Sequence, residues 1–402
     1  MKNFPRMLFF LLGYILCIGD MASLNYLFVD AERLQSITDF EIEEQLNDIN
    51  KSAANIIKTK DGDTCECIDF YKQPAFDHPS MKNHLFDYEM HRISSFKNSR
   101  TEQINHEKFG FLWENGVGCP LGTIPIQRVT KDELLRINSF SDKDKPQGSW
   151  NFTNYHQYSV DNAPHHHFAV ARTKRREVKH YNGASMVITI NDPLVKSSQF
   201  SSARMHIQIG EDYIQVGWTV NPKLYPDTKT RTFAFTKAGK NECYNSMCPV
   251  GIIMVRTDLF LGMARGPPDL RGSRQRSYDT YGLQKDKANG YWWLMFEGEQ
   301  IGFWPAKLFQ QSFANSIEWG GEVYSASMLS PQMGNGYFPL WDPEFDAHIC
   351  NITIVDENFK IDNSVKNIET FSDDPRGYEV HDDLYSGLPV GHIIYYGGPG
   401  NI

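Results

Sequence analysis

The sequence predicts an all-β protein in which an antiparallel β-sandwich is preceded by a smaller α+β domain. From about residue 186 onward, short runs of β-branched and aromatic residues alternate with glycine, proline and asparagine, which is typical of a sandwich. Part of the chain before that point shows helical periodicity instead. A chain of 402 residues also exceeds the size at which one core usually stops growing, so two domains are expected.

The N-terminal residues predict export from the cell. Lys2 and Arg6 precede an apolar run at 7–19, which small residues follow. This pattern indicates a signal peptide, assigned here to residues 1–22; the alternative is a signal anchor. No later stretch approaches the roughly 20 apolar residues that span a bilayer. We therefore expect a secreted protein, with the cell wall or the vacuole as alternatives, and no membrane contact after signal removal.

Residues 28–145 form the predicted first domain. Apolar residues recur there at three- and four-residue steps and predict an amphipathic helix at 31–58: Ile42, Leu46, Ile49, Ala53 and Ile56. The segments at 67–79 and 119–128 are predicted to be extended. Thr130 is placed to cap a short helix that follows it.

A polar stretch at 142–166 marks the boundary between the domains, with a linker at 146–166 and the second domain at 167–402. Three consecutive histidines, 165–167, lie in this stretch. Because neighbouring residues of an extended chain point to opposite faces, they cannot converge on one metal ion, and a solvated linker is the favoured interpretation. We expect no metal and no cofactor.

Short β-type runs predict the strands of the second domain: 186–190, 205–209, 213–220, 231–235, 251–255, 291–296, 301–304, 317–324, 351–355 and 392–396. Residues 297–300, with the sequence EGEQ between two aromatic runs, predict a hairpin turn. Strands of this length with frequent turn residues favour an antiparallel sandwich.

Composition argues against a nucleic-acid partner. The net charge is -9 and the isoelectric point is near 5.8, and the one short basic cluster, at 174–176, is too small to form a basic surface. The same cluster is a candidate site for activation cleavage. Such a cluster is more commonly the solvated start of a strand.

Six cysteines remain after the predicted signal is removed: Cys65, Cys67, Cys119, Cys243, Cys248 and Cys350. Secretion allows disulfides, and Cys243 and Cys248 flank a short loop that suits a local bridge. N-glycosylation sequons begin at Asn50, Asn151 and Asn351, in keeping with a secreted glycoprotein.

Carboxylates are the remaining candidates for catalysis, because the chain has no Gly-x-Ser-x-Gly motif and its cysteines are expected in disulfides. On the strand at 317–324, alternation puts Glu318, Gly320 and Glu322 on one face, unless the glycine pair introduces a bulge. On the strand at 213–220, Gln215 shares a face with its second neighbours in the same way. From these residues alone, a surface strand position is the more common role of such a glutamate.

Several segments resemble, in chain order, motifs of the neprosin family of plant glutamic peptidases: 71–79 (YKQPAFDHP), 119–125 (CPLGTIP), 216–227 (VGWTVNPKLYPD), 243–248 (CYNSMC), 318–323 (EWGGEV), 332–334 (QMG) and 395–400 (YYGGPG). The resemblance covers the chain from about residue 60 to the end. It implies a secreted protease made as a zymogen, with an activation propeptide before a β-sandwich peptidase domain. It also implies a hydrolase that cleaves after proline at acid pH with two facing glutamates, and the implied partners are a Pro-rich peptide or protein substrate and the chain's own propeptide.

The chain departs from this family pattern at one catalytic position. Gln215 stands where the family has its first glutamate, and the second maps onto Glu322, with Glu318 as the alternative. The resemblance then implies either a Gln and Glu dyad, in which Gln215 holds the oxyanion and Glu322 acts as general base and acid, or a catalytically inactive extracellular binding protein. Trp218 and Trp319 are candidates for an apolar substrate subsite, and the core is their alternative location.

The family pattern also implies two disulfides. It pairs Cys67 with Cys119 and Cys243 with Cys248. The two remaining cysteines, 65 and 350, are left as spare thiols or as a further bridge.

Overall fold

The computed structural model describes residues 40–81, 108–151, 165–174, 179–273, 276–326, 329–384 and 391–401. The predicted signal peptide lies outside these ranges, and so does most of the basic cluster at 174–176. Within them the chain forms three antiparallel sheets, one small and two large. None of the helices in these ranges is long and apolar enough to cross a membrane.

The small domain combines a short meander with two helices. Helix α1 covers residues 40–49, and the strands are β1 (Ala53–Lys58), β2 (Thr64–Asp69) and β3 (Thr123–Gln127), paired in the order β1-β2-β3. Helix α2 (Lys131–Asn138) begins with a capping box between Thr130 and Glu133, which confirms the short helix predicted after Thr130.

Two predictions for this domain are wrong in part. The helix predicted over 31–58 cannot continue past α1, because residues 53–58 pair with β2 as a strand that buries Ile57 and exposes Ile56. The extended segment predicted over 67–79 holds only as far as Asp69. From there the chain makes three 3-10 turns, two of which begin at a proline, the residue whose fixed φ suits the first position of such a turn.

One large sheet has nine strands. Its path is β10 (Ile253–Met254), β13 (Glu299–Trp304), β12 (Trp292–Phe296), β11 (Tyr278–Lys285), β5 (Tyr181–Thr189), β15 (His348–Asp356), β19 (Ile393–Gly397) and β18 (Glu379–Asp383), with β16 (Ile361–Asp362) beside β15. Between β12 and β13, Glu297 and Gly298 have φ of 50° and 79°, as a two-residue type I′ turn requires, which confirms the predicted hairpin.

The other large sheet has seven strands. In spatial order they are β17 (Ile368–Ser372), β4 (His165–Thr173), β14 (Ser316–Ser325), β6 (Gln199–Ile209), β7 (Asp212–Val220), β8 (Arg231–Ala238) and β9 (Asn241–Tyr244). Apolar residues of both large sheets, such as Met186, Met205 and Trp319, belong to one buried core, which gives the predicted all-β sandwich.

The small domain is fixed to the sandwich by buried polar contacts. The side-chain amide of Gln73 exchanges two hydrogen bonds with the backbone of Met254, at 2.8 and 2.9 Å, and Trp113 donates from Nε1 to the carbonyl of Asp258 at 2.8 Å. All of these side chains are buried, or nearly so, and the core of the small domain is continuous with that of the sandwich. The two domains therefore share one hydrophobic interior.

Candidate active site

One face of the seven-stranded sheet carries a cluster of buried polar side chains, called the polar face below: His166, Arg204, His206, Tyr213, Gln215, Glu318 and Glu322. These residues come from the four neighbouring strands β4, β14, β6 and β7. Strands β7 and β14 are buried at every residue, so both faces of the sheet are covered at this point. The apolar core covers one face, and a segment of the chain covers the other.

Strand β14 holds its two glutamates on the polar face without a bulge, because its pairing with β6 is continuous from Ser316 to Ser325. Gly320 lies between them with φ of 145°, and a Cβ atom there would come 2.3 Å from the carbonyl oxygen of Ala169 on β4. Only glycine fits so close to a neighbouring strand. The prediction that Glu318, Gly320 and Glu322 share a face is confirmed.

Arg204 binds both glutamates. Its Nη2 atom lies 2.5 Å from Oε1 of Glu318, and its Nε atom lies 3.2 Å from Oε2 of Glu322. All three side chains are fully buried. Because an unpaired buried charge is strongly destabilising, the cation fixes where both carboxylates lie.

Glu322 accepts two further hydrogen bonds. His166 lies 3.0 Å away through Nδ1, and the backbone amide of Gln147 donates at 2.7 Å. Burial alone would raise the pKa of Glu322, but the hydrogen bond from His166, the charges of Arg204 and His166, and the Gln147 amide outweigh it and lower that pKa below its usual value.

Gln215, on β7, contacts the same residue of the covering segment as Glu322 but on its carbonyl side. Its Nε2 atom donates to the carbonyl oxygen of Gln147 at 2.9 Å and to Nδ1 of His206 at 3.0 Å. Arg204 donates to the same carbonyl from Nη2 at 3.3 Å. The carbonyl of Gln147 therefore has two donors, one neutral and one charged.

His206 orients the amide of Gln215. Since Gln215 donates to Nδ1, the proton of the ring is on Nε2, which lies 2.9 Å from Oε1 of Gln208. Burial lowers the pKa of His206 and outweighs the opposing effect of Glu318, so the ring is neutral at neutral pH. Its face stacks on Tyr213 with a centroid distance of 4.8 Å.

Residues 143–150, called the covering segment below, lie across the polar face. The carbonyl of Lys143 accepts from Nε2 of His166 at 2.6 Å, and that of Pro146 accepts from the hydroxyl of Tyr213 at 2.6 Å. Most of these contacts use the backbone of the covering segment, so the polar face binds a peptide main chain, which runs between 3-10 turns at Asp142–Asp144 and Ser149–Asn151.

Ser149 binds Glu318 at the far end of the covering segment. Its backbone amide lies 3.1 and 3.2 Å from the two carboxylate oxygens, and its Oγ donates to Oε2 at 2.5 Å. Arg172 donates to the same Oγ at 3.0 Å. The hydroxyl of Ser149 thus links one buried carboxylate to a cation of β4.

Asp144 anchors the start of the covering segment. Its carboxylate lies 2.5 Å from Nζ of Lys223 and accepts from the hydroxyl of Tyr324. Burial would raise the pKa of Asp144, but these two partners and the amide of Ser141 together lower it below its usual value.

These contacts correct the interpretation of the polar stretch. Residues 146–150, expected to begin a linker, are buried or half-buried on the polar face, because their backbone groups are hydrogen-bonded there. His166 is buried and bound to Glu322, so it is not part of a solvated run. Residues 152–164 lie outside the described residues, and the exact domain boundary remains a prediction.

The comparisons with known proteins identify the family. A family model described as Neprosin matches residues 197–399, and one described as Neprosin activation peptide matches residues 56–172. The chain belongs to the neprosin family. It has the organisation of a peptidase zymogen, with an activation peptide ahead of the neprosin domain. The covering segment falls inside the region that matches the activation peptide.

Similar solved structures are distant. Scytalido-glutamic peptidase with a transition state analog inhibitor is 8% identical, with a TM-score of 0.35, over 58% of this chain and 98% of that chain. SCP-B of the Eqolisin family, in a complex with the tripeptide Ala-Ile-His, is 8% identical with a TM-score of 0.31, over 57% and 96%. CG-16, a homodimeric agglutinin from chicken liver, is 9% identical with a TM-score of 0.21, over 39% and 92%. The assignment rests on the family match alone.

The two tryptophans predicted as subsite walls lie elsewhere. Trp218 and Trp319 are fully buried in the core, and Trp218 donates from Nε1 to the carbonyl of Thr189 on β5. Alternation turns Trp218 away from Gln215 and Trp319 away from Glu318, toward the nine-stranded sheet. Both side chains therefore belong to the core and not to the polar face.

The disulfides follow the family pattern. Cys67 bonds to Cys119 and Cys243 to Cys248, while Cys65 and Cys350 are buried free thiols. Burial raises the pKa of Cys350 to about 11, so this thiol is un-ionised at neutral pH.

Glycosylation of the three sequons stays a prediction. Asn50 exchanges side-chain hydrogen bonds with the backbone of Val129 at 2.7 and 3.0 Å, Asn351 is exposed, and the side chain of Asn151 lies outside the described residues. Within the described part of the chain, no group of three or more His, Cys, Asp or Glu is placed to hold a metal ion.

The sequence analysis did not single out four residues of the polar face, namely His166, Arg204, His206 and Tyr213. Arg204 and His206 alternate with Ala203, Met205 and Ile207 along β6, so a cation between apolar residues in the middle of a strand was the available signal. His166 gave no such signal, because its role depends on the pairing of β4 with β14, which is distant in sequence.

Proposed function

We propose that this chain is the zymogen of a secreted glutamic-type endopeptidase that works with Gln215 and Glu322 as its dyad. The observation that carries the proposal is the pair of backbone hydrogen bonds at Gln147, which belong to the two successive peptide bonds on either side of this residue. Gln215 donates to its carbonyl at 2.9 Å, and Glu322 accepts from its amide at 2.7 Å. A substrate backbone on the same path would meet the same two side chains.

In this proposal Gln215 stabilises the oxyanion. A neutral amide donates hydrogen bonds at any pH and needs no proton of its own, unlike a glutamate at this position. Arg204 provides a second donor on the same carbonyl. Two fixed donors in a buried site can lower the barrier by several kcal/mol, and loss of one such donor typically costs about 2.7–4 kcal/mol.

Glu322 acts as general base and then as general acid. Its lowered pKa keeps it ionised in mild acid, so it can take a proton from a water molecule that attacks the carbonyl carbon. It then gives that proton to the departing amine as the C–N bond breaks. His166, at 3.0 Å, shares the proton with Glu322 between the two steps.

Glu318 is the alternative base. It contacts the same cation, Arg204, and the amide of Ser149, two residues beyond the Gln147 unit. A comparison of Glu318→Gln with Glu322→Gln separates the two assignments, because only the variant at the base should abolish turnover.

Two adjacent bonds of the covering segment are candidates for cleavage. The carbonyl that Gln215 and Arg204 hold belongs to the Gln147–Gly148 bond. Cleavage after proline at acid pH, which the family resemblance implies, would use the Pro146–Gln147 bond, whose carbonyl accepts from Tyr213 and whose amide donates to Glu322. In the first case proline directly precedes the residue whose carbonyl reacts, and in the second the reacting carbonyl is that of proline itself. Both cases are in keeping with a Pro-rich substrate.

The second candidate function is a catalytically inactive extracellular protein that binds extended peptides. The glutamine at position 215 favours it, as do the many contacts that the polar face makes with backbone groups. Secretion, to the cell wall or the vacuole, belongs to both proposals and rests on the predicted signal peptide.

Mass spectrometry of the acid-treated chain tests the proposal. The full chain, incubated between pH 3 and 5, should be cut after residue 146 or 147, and Glu322→Gln should remain intact. Glu344→Gln, on an exposed loop, is the matched control and should be cut like the wild type. A wild-type chain that stays intact while it still binds peptides would favour the inactive binding protein.

A further inference from the structure

The covering segment contains one residue whose size is limited by the polar face. A Cβ atom added to Gly148 would lie 3.0 Å from both Cε1 and Nε2 of His206 and 3.6 Å from the Trp150 ring. The first two distances are shorter than ordinary van der Waals contact. Any side chain at this position therefore requires His206 to move.

His206 has little freedom to move. Both of its ring nitrogens are hydrogen-bonded, to Gln215 at 3.0 Å and to Gln208 at 2.9 Å, and the ring is fully buried against Tyr213. A shift of the ring would break the bond that orients the amide of Gln215. The clash at position 148 would thus also disturb the donor on the Gln147 carbonyl.

We propose that His206 makes the polar face selective for glycine immediately after the carbonyl that Gln215 holds. The peptides that fit have proline two residues before that glycine, as in Pro146-Gln147-Gly148. The inference rests on the proposed function in one respect, namely that the covering segment follows the path of a substrate. It holds for binding whether or not a bond is cleaved.

The full chain offers a test that needs no catalysis. Hydrogen exchange of the Gln147 and Ser149 amides, which donate to Glu322 and Glu318, reports whether the covering segment is seated. The test compares the wild type, Gly148→Ala, His206→Ala and the double variant at neutral pH. Amides of β5 in the other sheet serve as the internal control for folding.

We expect Gly148→Ala to lower the protection of the two amides about tenfold or more, which is the usual size of an overpacking effect. In the His206→Ala background, Gly148→Ala should cause little further loss of protection, because the ring that causes the clash is gone. Unchanged protection in Gly148→Ala would overturn the inference. So would a further loss of the same size when Gly148→Ala is added to His206→Ala while β5 remains protected.

A peptide assay provides a second test, which uses only the wild-type protein and so does not require His206→Ala to fold. The acid-treated wild type should cleave Lys-Asp-Lys-Pro-Gln-Gly-Ser-Trp with a kcat/KM about tenfold or more above that of the peptide with Ala in place of Gly. Equal rates would overturn the inference. If neither peptide is cleaved, the proposed function fails, and the exchange experiment alone decides whether glycine is selected.

Discussion

Nδ1 of His166 lies 3.0 Å from Oε1 of Glu322, while Nε2 of the same ring lies 2.6 Å from the carbonyl oxygen of Lys143. Because a carbonyl oxygen only accepts, Nε2 carries a proton. The covering segment therefore orients the ring that contacts the proposed base.

Acid should release the covering segment. The folded-state pKa values of Glu322 and Asp144 lie below their usual values, so their stabilising effect is complete above about pH 4.3 and is lost as the pH falls through the lower folded values. Exchange protection of the Gln147 amide should fall over that range. In His166→Gln the fall should begin at higher pH, because a hydrogen bond that lowers the pKa of Glu322 is missing.

His180→Gln is the control for this prediction, since the His180 ring packs on Phe313 before β5, outside the polar face. Its transition should match that of the wild type. A transition in His166→Gln at the wild-type pH would contradict the link between His166 and Glu322.

Ser149→Ala should loosen the covering segment. The change removes a hydroxyl that donates to Glu318 and accepts from Arg172, and hydrogen bonds to charged groups are worth about 1.5–3 kcal/mol. Exchange at the Ser149 position should accelerate about tenfold or more. Ser139→Ala, which changes an exposed serine at the end of α2, is the control. Equal exchange rates at the Ser149 amide in the two variants would refute this role of the Ser149 hydroxyl.

Gly320→Ala should destabilise the sandwich by about 2–5 kcal/mol, because the new Cβ would clash with β4 and the backbone conformation is strained for alanine. Urea unfolding followed by fluorescence measures the effect. Gly298→Ala is matched, since its φ is also positive but no atom lies within 4 Å of the added Cβ. Equal losses in both variants would show that the close approach of β4 is unimportant.

The disulfide between Cys67 and Cys119 should contribute more stability than that between Cys243 and Cys248. The sequence separations are 52 and 5 residues, and the loop-entropy model gives about 4 and about 2 kcal/mol for loops of these sizes. Double alanine variants of each pair, compared by thermal unfolding, test the order. The reverse order would show that loop entropy does not control these bridges.

Local patterns predicted the parts of the site that depend on one strand. The two-residue period placed Glu318 and Glu322 on one face, and EGEQ gave the hairpin between β12 and β13. Periodicity failed where strand pairing, and not the local apolar pattern, decides the structure. Residues 53–58 fit a helical stripe, but β2 pairs with them as a strand.

The position of the covering segment on the polar face could not be predicted from its sequence, because polar stretches of this kind usually lie in solvent. In the folded chain their backbone groups satisfy a buried surface that is distant in sequence, and Gln147 lies 175 positions from Glu322. The family resemblance singled out Gln215 and Glu322, and both side chains contact Gln147. It offered no information on Arg204, His166 or His206.

The most direct test of the Gln215 and Glu322 dyad is a cleavage assay. The acid-treated secreted protein is incubated with a quenched library of proline-containing peptides from pH 2 to 7. The wild type should cleave, Glu322→Gln should lose activity, and Gln215→Glu should keep activity only where its carboxyl is protonated. A silent wild type together with an active Gln215→Glu variant would contradict the Gln and Glu dyad and identify a pseudoenzyme.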